Sequence, residues 1–283
     1  MPELPEVETV VRGLRRVLPG RRIVSVRLGK TDFIDDPAAL ERELPGKKIT
    51  AIRRFGKFLL FDLEATNSAP ENSSLLVHLG MTGQLIVTSS AAPVAPHTHV
   101  FFGLDNGREL RYRDVRRFGR MAYLADGRAQ EKALGALGLD PLEATEKQFA
   151  DKLHARRARI KSVLLNQSVL RGIGNIYADE SLWRAKIHPM RIAASLPARE
   201  VRALYKAVQS VLNEAIRLRG SSVSDYVDAD GERGSFQQRH CVYQRHGEKC
   251  VRCGTTIKRA IVAGRSSHFC PRCQRAPRAS RDR

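Results

Sequence analysis

The apolar residues near the start of the chain recur at helical spacing and predict one amphipathic helix over residues 5–18. Pro5 suits the first turn of a helix, and Pro19-Gly20 marks its end. The apolar positions of this helix are Val7, Val10, Val11, Leu14 and Leu18. This pattern predicts a helix that packs one face against a core.

Between about residues 21 and 124 the pattern changes to short runs rich in β-branched and aromatic residues. Tight turns such as Asn106-Gly107, and polar loops at 65–73 and 88–96, separate these runs. So many short strands predict a β-sandwich or a barrel that follows the single helix.

After residues 134–143 the helical period returns. We predict helices over 145–165, 175–186 and 197–219, with Asn175 as the N-cap of the middle one. A polar, glycine-containing stretch and a cysteine-bearing segment follow. The last residues, 274–283, are rich in Pro and Arg and are predicted to be disordered.

The charge balance changes this picture from an ordinary globular protein to one with a polyanionic partner. The chain has 283 residues, enough for about two domains, with 49 Lys+Arg against 30 Asp+Glu, a net charge of +19 and a pI near 10.3. The last 44 residues alone carry 11 Lys/Arg and 2 Asp/Glu. Nucleic acid is the expected partner.

Membrane and secretory classes are disfavoured. No apolar run approaches the ~18 residues that span a bilayer, and the first residues lack the pattern of a signal peptide. We therefore expect a cytoplasmic protein, in a reducing compartment where cysteines bind metal rather than form disulfides.

Four of the five cysteines form two CxxC pairs. Sixteen residues separate Cys250-x2-Cys253 from Cys270-x2-Cys273, a spacing that suits four thiolates around one structural Zn²⁺. The residues between the pairs predict a hairpin that turns near Ala263-Gly264-Arg265. Cys241 is expected to be a packed residue outside the metal site.

The first residues suggest covalent chemistry. Trimming of Met1, favoured by the small second side chain, would expose a secondary amine on Pro2. An α-amino group titrates at about 7.7–8.0, so a useful fraction is neutral near neutral pH. Attack on a sugar C1′ would give an iminium (Schiff-base) intermediate, and the adjacent Glu3 could act as a general acid.

Five segments together resemble the formamidopyrimidine-DNA glycosylase family. They are MPELPEVETV at the start, HLGMTG (78–83), RDVRRFG (113–119), RGIGNIYADE (171–180) and the cysteine pairs. They follow the family's order from Met1 to about Cys273. One departure is Val115, where the family often has Pro.

The resemblance implies an α+β fold: an N-terminal β-sandwich with a leading helix, a helix–two-turn–helix domain and a C-terminal zinc-ribbon finger. We assign these to 1–133, 134–234 and 235–273, with 274–283 as a disordered basic tail. It also implies excision of oxidised purines (8-oxoguanine and formamidopyrimidines) from double-stranded DNA, then β,δ-elimination at the abasic site, by a monomer.

Residue roles carried over by motif follow the same resemblance. Pro2 matches the Schiff-base nucleophile, Glu3 the general acid, Lys57 the lysine of the elimination step and Arg265 the arginine of δ-elimination. Glu6 lies in the matched start and is expected to orient the chemistry. Without the resemblance, Lys57 would be interpreted as a solvated lysine on a strand.

The family also implies DNA contacts. The residues that would fill the space left by an extruded base are Met81, Arg116 and Phe118, although seen alone Met81 and Phe118 would be interpreted as core residues. Further DNA-contacting positions are His97 (or His99), Arg156 and Asn175, which begins a helix after a Gly-x-Gly turn. Lys161 is expected to serve packing or backbone contact.

Two alternatives remain open. The related endonuclease VIII type prefers oxidised pyrimidines, but that branch typically begins Pro-Glu-Gly, whereas this chain has Pro2-Glu3-Leu4. A non-catalytic zinc-ribbon DNA binder would explain the charge and the cysteines but not the residues at 2, 3 and 57.

The segment 221–235 matches the family's variable lesion-capping loop.

Overall fold

A computed structural model describes residues 2–64, 73–223 and 225–276. The predicted trimming of Met1 and most of the predicted tail therefore lie outside the described residues. The chain folds into two compact units. The first comprises the residues up to Ala136 together with Ile216–Gln237, and the second comprises Leu137–Ala215 together with the residues from Gln238 onward.

The first unit contains three helices and eight strands among its described residues. The helices are α1 (Leu4–Leu14), α2 (Pro37–Glu43) and α3 (Gly127–Leu134). The strands are β1 (Ile23–Leu28), β2 (Lys48–Phe55), β3 (Phe58–Glu64), β4 (Ser73–His78), β5 (Gly83–Ser89), β6 (Thr98–Leu104), β7 (Arg108–Asp114) and β8 (Arg120–Leu124).

The strands form two antiparallel four-stranded sheets with the orders β1-β6-β7-β5 and β2-β3-β4-β8. Buried residues of both sheets belong to one apolar cluster, for example Phe102 and Leu110 from the first and Phe61 and Val77 from the second. Sequence alone left a sandwich and a barrel open, and two separate sheets sharing one core make this a sandwich.

The leading helix buries the face that its periodicity predicts. Val7, Val10, Val11 and Leu14 are at most 1% exposed and belong to the sandwich core. The helix ends at Leu14, earlier than predicted, because the next turn tightens: the Val17 N–H donates to the Leu14 carbonyl at 3.1 Å. Leu18 is still fully buried, which explains why its spacing extended the prediction.

The second unit contains the remaining elements, except that the helix Ala198–Arg217 and the 3-10 segment Phe236–Arg239 each have two residues in the first unit. Its helices are α4 (Glu146–His154), α5 (Ile160–Leu165), α6 (Asn175–Arg184) and α7 (Ala198–Arg217), and its strands are β9 (Lys258–Val262) and β10 (Arg265–Phe269). Two short 3-10 segments, Ala193–Ser195 and Phe236–Arg239, complete the list. Among the described residues, the structure has no helix that combines the length and apolarity of a membrane span.

The predicted single helix over 145–165 is wrong, because residues 155–159 are not helical. The backbone there bonds to a distant segment instead: the Ala193 N–H donates to the Ala158 carbonyl (2.9 Å) and the Ala194 N–H to the Arg156 carbonyl (3.1 Å). These long-range bonds replace the continuation of the helix, which local periodicity cannot reveal.

Candidate active site and nucleic-acid interface

The start of α1 holds the two residues proposed for covalent chemistry. Pro2 and Glu3 are both buried, and Glu3 is the N-cap residue with an extended backbone. Glu3 and Glu6 form a capping box in which the Glu3 N–H donates to Glu6 Oε2 at 2.8 Å. The backbone that leads to Pro2 is therefore fixed by a side chain one turn further on.

Glu6 connects this start to a second segment of the same unit. Its carboxylate is 1% exposed, and Oε1 accepts a hydrogen bond from the Ser221 N–H at 2.7 Å. The Tyr226 hydroxyl donates to the Glu6 carbonyl at 3.2 Å. Burial and, second, the charge of Glu6 raise the pKa of Tyr226, so this hydroxyl keeps its proton. The predicted orienting position of Glu6 is consistent with these contacts.

Lys57 lies in a two-residue turn between β2 and β3 and is 8% exposed, so the alternative of a solvated strand lysine is wrong. The first residue of the turn is Gly56, whose φ is +62°. Helix α1 packs on both strands of this hairpin, and Nε of the buried Arg54 side chain donates to Glu8 Oε2 at 2.9 Å. The same helix thus carries Pro2 and Glu3 and contacts the hairpin that carries Lys57.

His78, the first residue of the motif HLGMTG, is a further candidate site residue that the sequence alone did not single out. It pairs across the sheet with Phe58, the neighbour of Lys57, and the Gly80 N–H donates to His78 Nδ1 at 3.1 Å. Burial and, second, the charge of Lys57 lower the pKa of His78 to about 4. The ring is therefore neutral near pH 7, and because Nδ1 accepts a bond, Nε2 holds the proton.

The three residues predicted to enter the base stack lie on two loops of the first unit. Met81 follows β4 and is half-buried, whereas Arg116 and Phe118 lie exposed between β7 and β8. Phe118 is 56% exposed, and the Arg116 guanidinium lies 4.5 Å from the centroid of its ring. An exposed ring beneath a guanidinium is not a core residue, so the alternative interpretation of Phe118 fails.

The two candidate histidines differ in accessibility. His97 is exposed and has a left-handed backbone (φ +65°), and its carbonyl accepts from the Asp114 N–H at 3.0 Å. His99 is 8% exposed, its Nε2 lies 3.2 Å from the Asp114 carbonyl, and its ring packs beside Phe33. His97 is therefore the histidine that a ligand can reach.

In the second unit, Asn175 and Arg265 line one cavity of about 520 Å³ together with Tyr243 and Arg259. The N-cap of α6 is Gly174 rather than Asn175, which corrects the prediction. Asn175 instead occupies the first helical position, and within the described part of the chain its Oδ1 makes no hydrogen bond. Tyr243 was missed because it lies outside the motifs that the sequence analysis used.

A buried ion pair fixes the strand that begins with Arg265. Lys161 is fully buried, and its Nζ donates to Asp179 Oδ1 and to the Ser266 carbonyl, both at 2.7 Å. Asp179 Oδ2 in turn accepts from the His268 N–H at 2.9 Å. Lys161 thus has the packing and backbone role expected of it, and β10 is held at Ser266 and His268.

Arg156 is exposed in the non-helical connection between α4 and α5. Its carbonyl accepts the bond from Ala194 described above, which fixes the backbone and leaves the guanidinium accessible. The structure places Arg156, Asn175, Arg265 and the four cysteines of the predicted metal site in the second unit. The other candidate catalytic and DNA-contacting residues lie in the first.

The four predicted metal-binding cysteines come together. The sulfurs of Cys250, Cys253, Cys270 and Cys273 lie within 4.8 Å of one another. The hairpin between the pairs turns at Ala263-Gly264, both with positive φ (51° and 70°), as predicted.

Cys241 lies outside this cluster. Its sulfur contacts the Arg239 carbonyl at 3.5 Å, and burial raises the pKa of its thiol to about 11, so it is a protonated, packed residue. Trp183 of α6 packs against the cluster, with the Arg252 guanidinium 3.9 Å from the centroid of its ring. The indole covers the buried side of the cysteine site.

Three family models match the chain in succession. They are the formamidopyrimidine-DNA glycosylase N-terminal domain (residues 1–121), the formamidopyrimidine-DNA glycosylase H2TH domain (137–227) and a zinc finger found in FPG and IleRS (247–276). Together they cover most of the chain. The chain belongs to the formamidopyrimidine-DNA glycosylase family, and the predicted α+β fold class is confirmed.

Whole-length relatives agree. The chain is 46% identical to the formamidopyrimidine-DNA glycosylase of Solibacter usitatus and 45% identical to that of Herpetosiphon aurantiacus, over 97% of this chain and 100% of each relative. The crystal structure of MutM (FPG) from Thermus thermophilus superposes with a TM-score of 0.84 at 41% identity, covering 98% of this chain and 100% of that one.

Structures of the Lactococcus lactis Fpg in complex with DNA are also similar. The complex with DNA that contains an abasic site has a TM-score of 0.87 at 36% identity, with 97% of this chain and 100% of that chain covered. The complex of the same protein with DNA containing N7-benzyl-Fapy-dG gives the same TM-score, identity and coverage.

The lowered pKa of His78 predicts a pH dependence of stability. Below pH 6.5 the unfolded chain binds a proton at this ring, which the folded protein accepts only near pH 4. The free energy of unfolding therefore decreases as the pH falls from 6.5 to 4, by up to roughly 3 kcal/mol from this group, and is unaffected by it above 6.5. Urea unfolding at a series of pH values measures the decrease.

His78→Asn keeps an acceptor for the Gly80 N–H but cannot titrate, so it should flatten this dependence. Burial and Arg245 also lower the pKa of His240 to about 4, so part of the slope should remain. The exposed His246→Asn controls for the loss of a histidine. An unchanged slope in His78→Asn would contradict the assignment.

Proposed function

We propose that this chain is a DNA base-excision repair enzyme, a bifunctional glycosylase and lyase that removes oxidised purines, 8-oxoguanine and formamidopyrimidines, through a Schiff base on Pro2. The observation that carries the proposal is the fixed, buried start of α1, where Glu6 holds the backbone of Glu3 beside Pro2. It occurs in a chain that matches a glycosylase of this family over 97% of its length.

The covalent step uses the nitrogen of Pro2 once Met1 is removed. Its lone pair forms the bond to C1′ of the damaged nucleotide, and the base leaves with the electrons of the glycosidic bond and takes a proton from the Glu3 carboxylic acid. The Pro2 nitrogen then loses its proton, the C1′–O4′ bond breaks as the ring oxygen takes up a proton, and the opened sugar stays attached to Pro2 as an iminium ion. Loss of the C2′ proton then expels the 3′ phosphate, and a further elimination expels the 5′ phosphate. We assign support of these eliminations to Lys57 and Arg265.

The substrate is double-stranded DNA that contains an oxidised base or an abasic site. The net charge of +19 favours a phosphate backbone, and relatives of this fold have been solved with such DNA. Asn175 and Arg265 share a cavity that suits one phosphate, with donors from an amide, a guanidinium and the start of α6. His97 and Arg156 are exposed and would add further contacts.

An enzyme that acts on a stacked base must extrude it, at a cost of a few kcal/mol. Met81, Arg116 and Phe118 are proposed to fill the space left behind, and the exposure of Phe118 supports this role. The Arg116 guanidinium can also hydrogen-bond the base that has lost its partner.

The cysteine cluster is proposed to hold one structural Zn²⁺. Four sulfurs of two CxxC pairs fill a tetrahedral coordination shell and leave no position for substrate. A bound zinc ion would supply folding free energy to a hairpin with a small core, and would so position Arg265. We propose that the enzyme acts as a monomer in the cytoplasm, where its DNA substrate lies.

One comparison supports a broader lesion range. The Lactococcus lactis Fpg has been solved with DNA that contains an oxidised pyrimidine, at a TM-score of 0.86 and 36% identity. The endonuclease VIII type of preference therefore belongs in the test as a second substrate. Leu4 after Pro2-Glu3 keeps oxidised purines as the proposed preference.

Borohydride reduction tests the covalent step. Purified protein mixed with duplexes carrying 8-oxoguanine, an oxidised pyrimidine or an abasic site should give a stable protein–DNA adduct. Pro2→Leu retains Met1, because trimming needs a small second residue, and so moves the amine away from its site. Its adduct should fall by about a hundredfold or more. An undiminished adduct in Pro2→Leu would refute the role of Pro2.

Glu3→Gln separates the two activities. It preserves the shape of the side chain but removes the proton, so single-turnover base removal should fall by about 10²–10⁴-fold. Cutting of a ready-made abasic site, where no base leaves, should fall less. Glu41→Gln, an exposed carboxylate of α2, is the control. Equal losses in both activities would contradict the general-acid role.

Metal content tests the cysteine site. The purified protein should contain one Zn²⁺ per chain, and Cys250→Ser should lose it together with tight DNA binding, because β10 carries Arg265. Cys241→Ser is the matched control, since its sulfur lies outside the cluster, and it should retain the metal. Full zinc content in Cys250→Ser, or none in the native protein, would contradict the proposal.

A further inference from the structure

Asp114, the last residue of β7, is a fully buried carboxylate with no role in the chemistry proposed above. Both of its oxygens accept hydrogen bonds. Oδ1 accepts from the Thr82 hydroxyl and from the Arg116 N–H (3.3 Å), and Oδ2 accepts from the Tyr112 hydroxyl (3.0 Å) and the Gly119 N–H (2.9 Å). Such a set of donors satisfies both oxygens of a buried carboxylate without contact with water.

Apart from Tyr112, which lies in β7 itself, the donors come from two loops that are distant in the sequence. Thr82 directly follows Met81, whereas the N–H groups of Arg116 and Gly119 lie at either end of the loop that carries Arg116 and Phe118. The Thr82 hydroxyl also accepts from the Arg116 N–H at 3.0 Å. The Thr82 side chain thus joins the loop that carries Met81 to the loop that carries Arg116 and Phe118.

The backbones of these loops also touch. Gly80 has φ +60°, and a Cβ there would lie 2.3 Å from the Phe118 carbonyl carbon. A Cβ on Gly119 would lie 1.8 Å from the Tyr112 hydroxyl oxygen. Only glycine fits at either position, so the glycines of HLGMTG and RRFG permit the contact that Asp114 holds together.

Two further features make this arrangement specific. Burial and then the charge of Asp114 raise the pKa of Tyr112, so the phenol stays a donor. The main chain of Asp114 is fixed as well, because its N–H donates to the His97 carbonyl at 3.0 Å. The exposed histidine proposed to contact DNA is therefore held by the same residue.

We propose that Asp114 is a positioning residue that sets Met81, Arg116 and Phe118 in place before DNA arrives, so that base extrusion does not also have to order two loops. The inference rests on the proposed function of these three residues as the wedge that enters the base stack. Preordered loops remove an entropic cost from the extruded state, which is the state that the glycosylase step requires.

Asp114→Asn tests the proposal. The amide replaces one acceptor by a donor that faces the existing N–H or O–H donors, so the loops lose their common partner. Single-turnover excision of 8-oxoguanine from paired duplex should fall by about tenfold to a hundredfold. Cutting of an abasic site, which has no base to extrude, should change by less than about threefold. Asp105→Asn, an exposed aspartate of the same unit, is the control.

A variant without the wedge separates positioning from general destabilisation. In Met81→Ala/Arg116→Ala/Phe118→Ala protein, adding Asp114→Asn should cause no further loss of duplex excision. A further loss equal to that in the native background, or equal losses in excision and abasic-site cutting, would show that Asp114 acts through the fold and would overturn the inference.

A failure of the proposed function can be distinguished from a failure of the inference about Asp114. If the triple variant excises the base from duplex as fast as the native protein, the wedge assignment is wrong whatever Asp114 does. If Asp114→Asn does not fold, Thr82→Val removes only the hydroxyl that joins the Met81 loop to the carboxylate and carries the same test. A native excision rate in Thr82→Val would then overturn the inference.

Discussion

The hydrogen bond from the Glu3 N–H to the Glu6 carboxylate is the constraint on which the proposed chemistry depends. The proposed nucleophile is the main-chain nitrogen of Pro2, which has no rotatable side chain to aim it. Its position follows from the backbone of the residues behind it. Glu6 fixes that backbone with one oxygen and the Ser221 N–H with the other, and burial keeps competing water away.

Buried, hydrogen-bonded carboxylates recur at two other proposed functional elements. Asp114 holds the two wedge loops. Asp179 pairs with Lys161 and accepts a hydrogen bond from the backbone of the strand that begins with Arg265.

Glu180, also fully buried, accepts the N–H groups of Cys241, Val242 and Tyr243 at 2.9–3.0 Å. Burial raises the pKa of Glu180 above its usual value, and these three bonds offset only part of that increase. Buried carboxylates are costly unless they are fully hydrogen-bonded, and their donors here are mostly main-chain N–H groups of loops and element ends. Asp114 and Asp179 thus fix the loop and the strand that carry the exposed residues Phe118 and Arg265.

Much of the fold could be predicted because its signals are local. The period of Val7, Val10, Val11 and Leu14 marked α1, and the spacing of the cysteines marked a site that the structure assembles.

The break in the helix at 155–159 was missed because its backbone partners lie at 193–194. The burial of Lys57 in its turn, and the electrostatic effect of Lys57 on His78, likewise depend on strand pairing that no local pattern reveals. Asp114 and Thr82 stand inside recognised motifs and remained unassigned, because their importance lies in a contact between two segments. A sequence reveals residues that contact a ligand more readily than residues that position those contacts.

Peptide mapping of the borohydride-reduced adduct by mass spectrometry tests the central claim most directly. The account predicts that the deoxyribose remnant is attached to the ring nitrogen of Pro2, in an N-terminal peptide that has lost Met1. Attachment to the ε-amine of Lys57 or another lysine, or an adduct whose peptide still carries the initiator methionine, would contradict it.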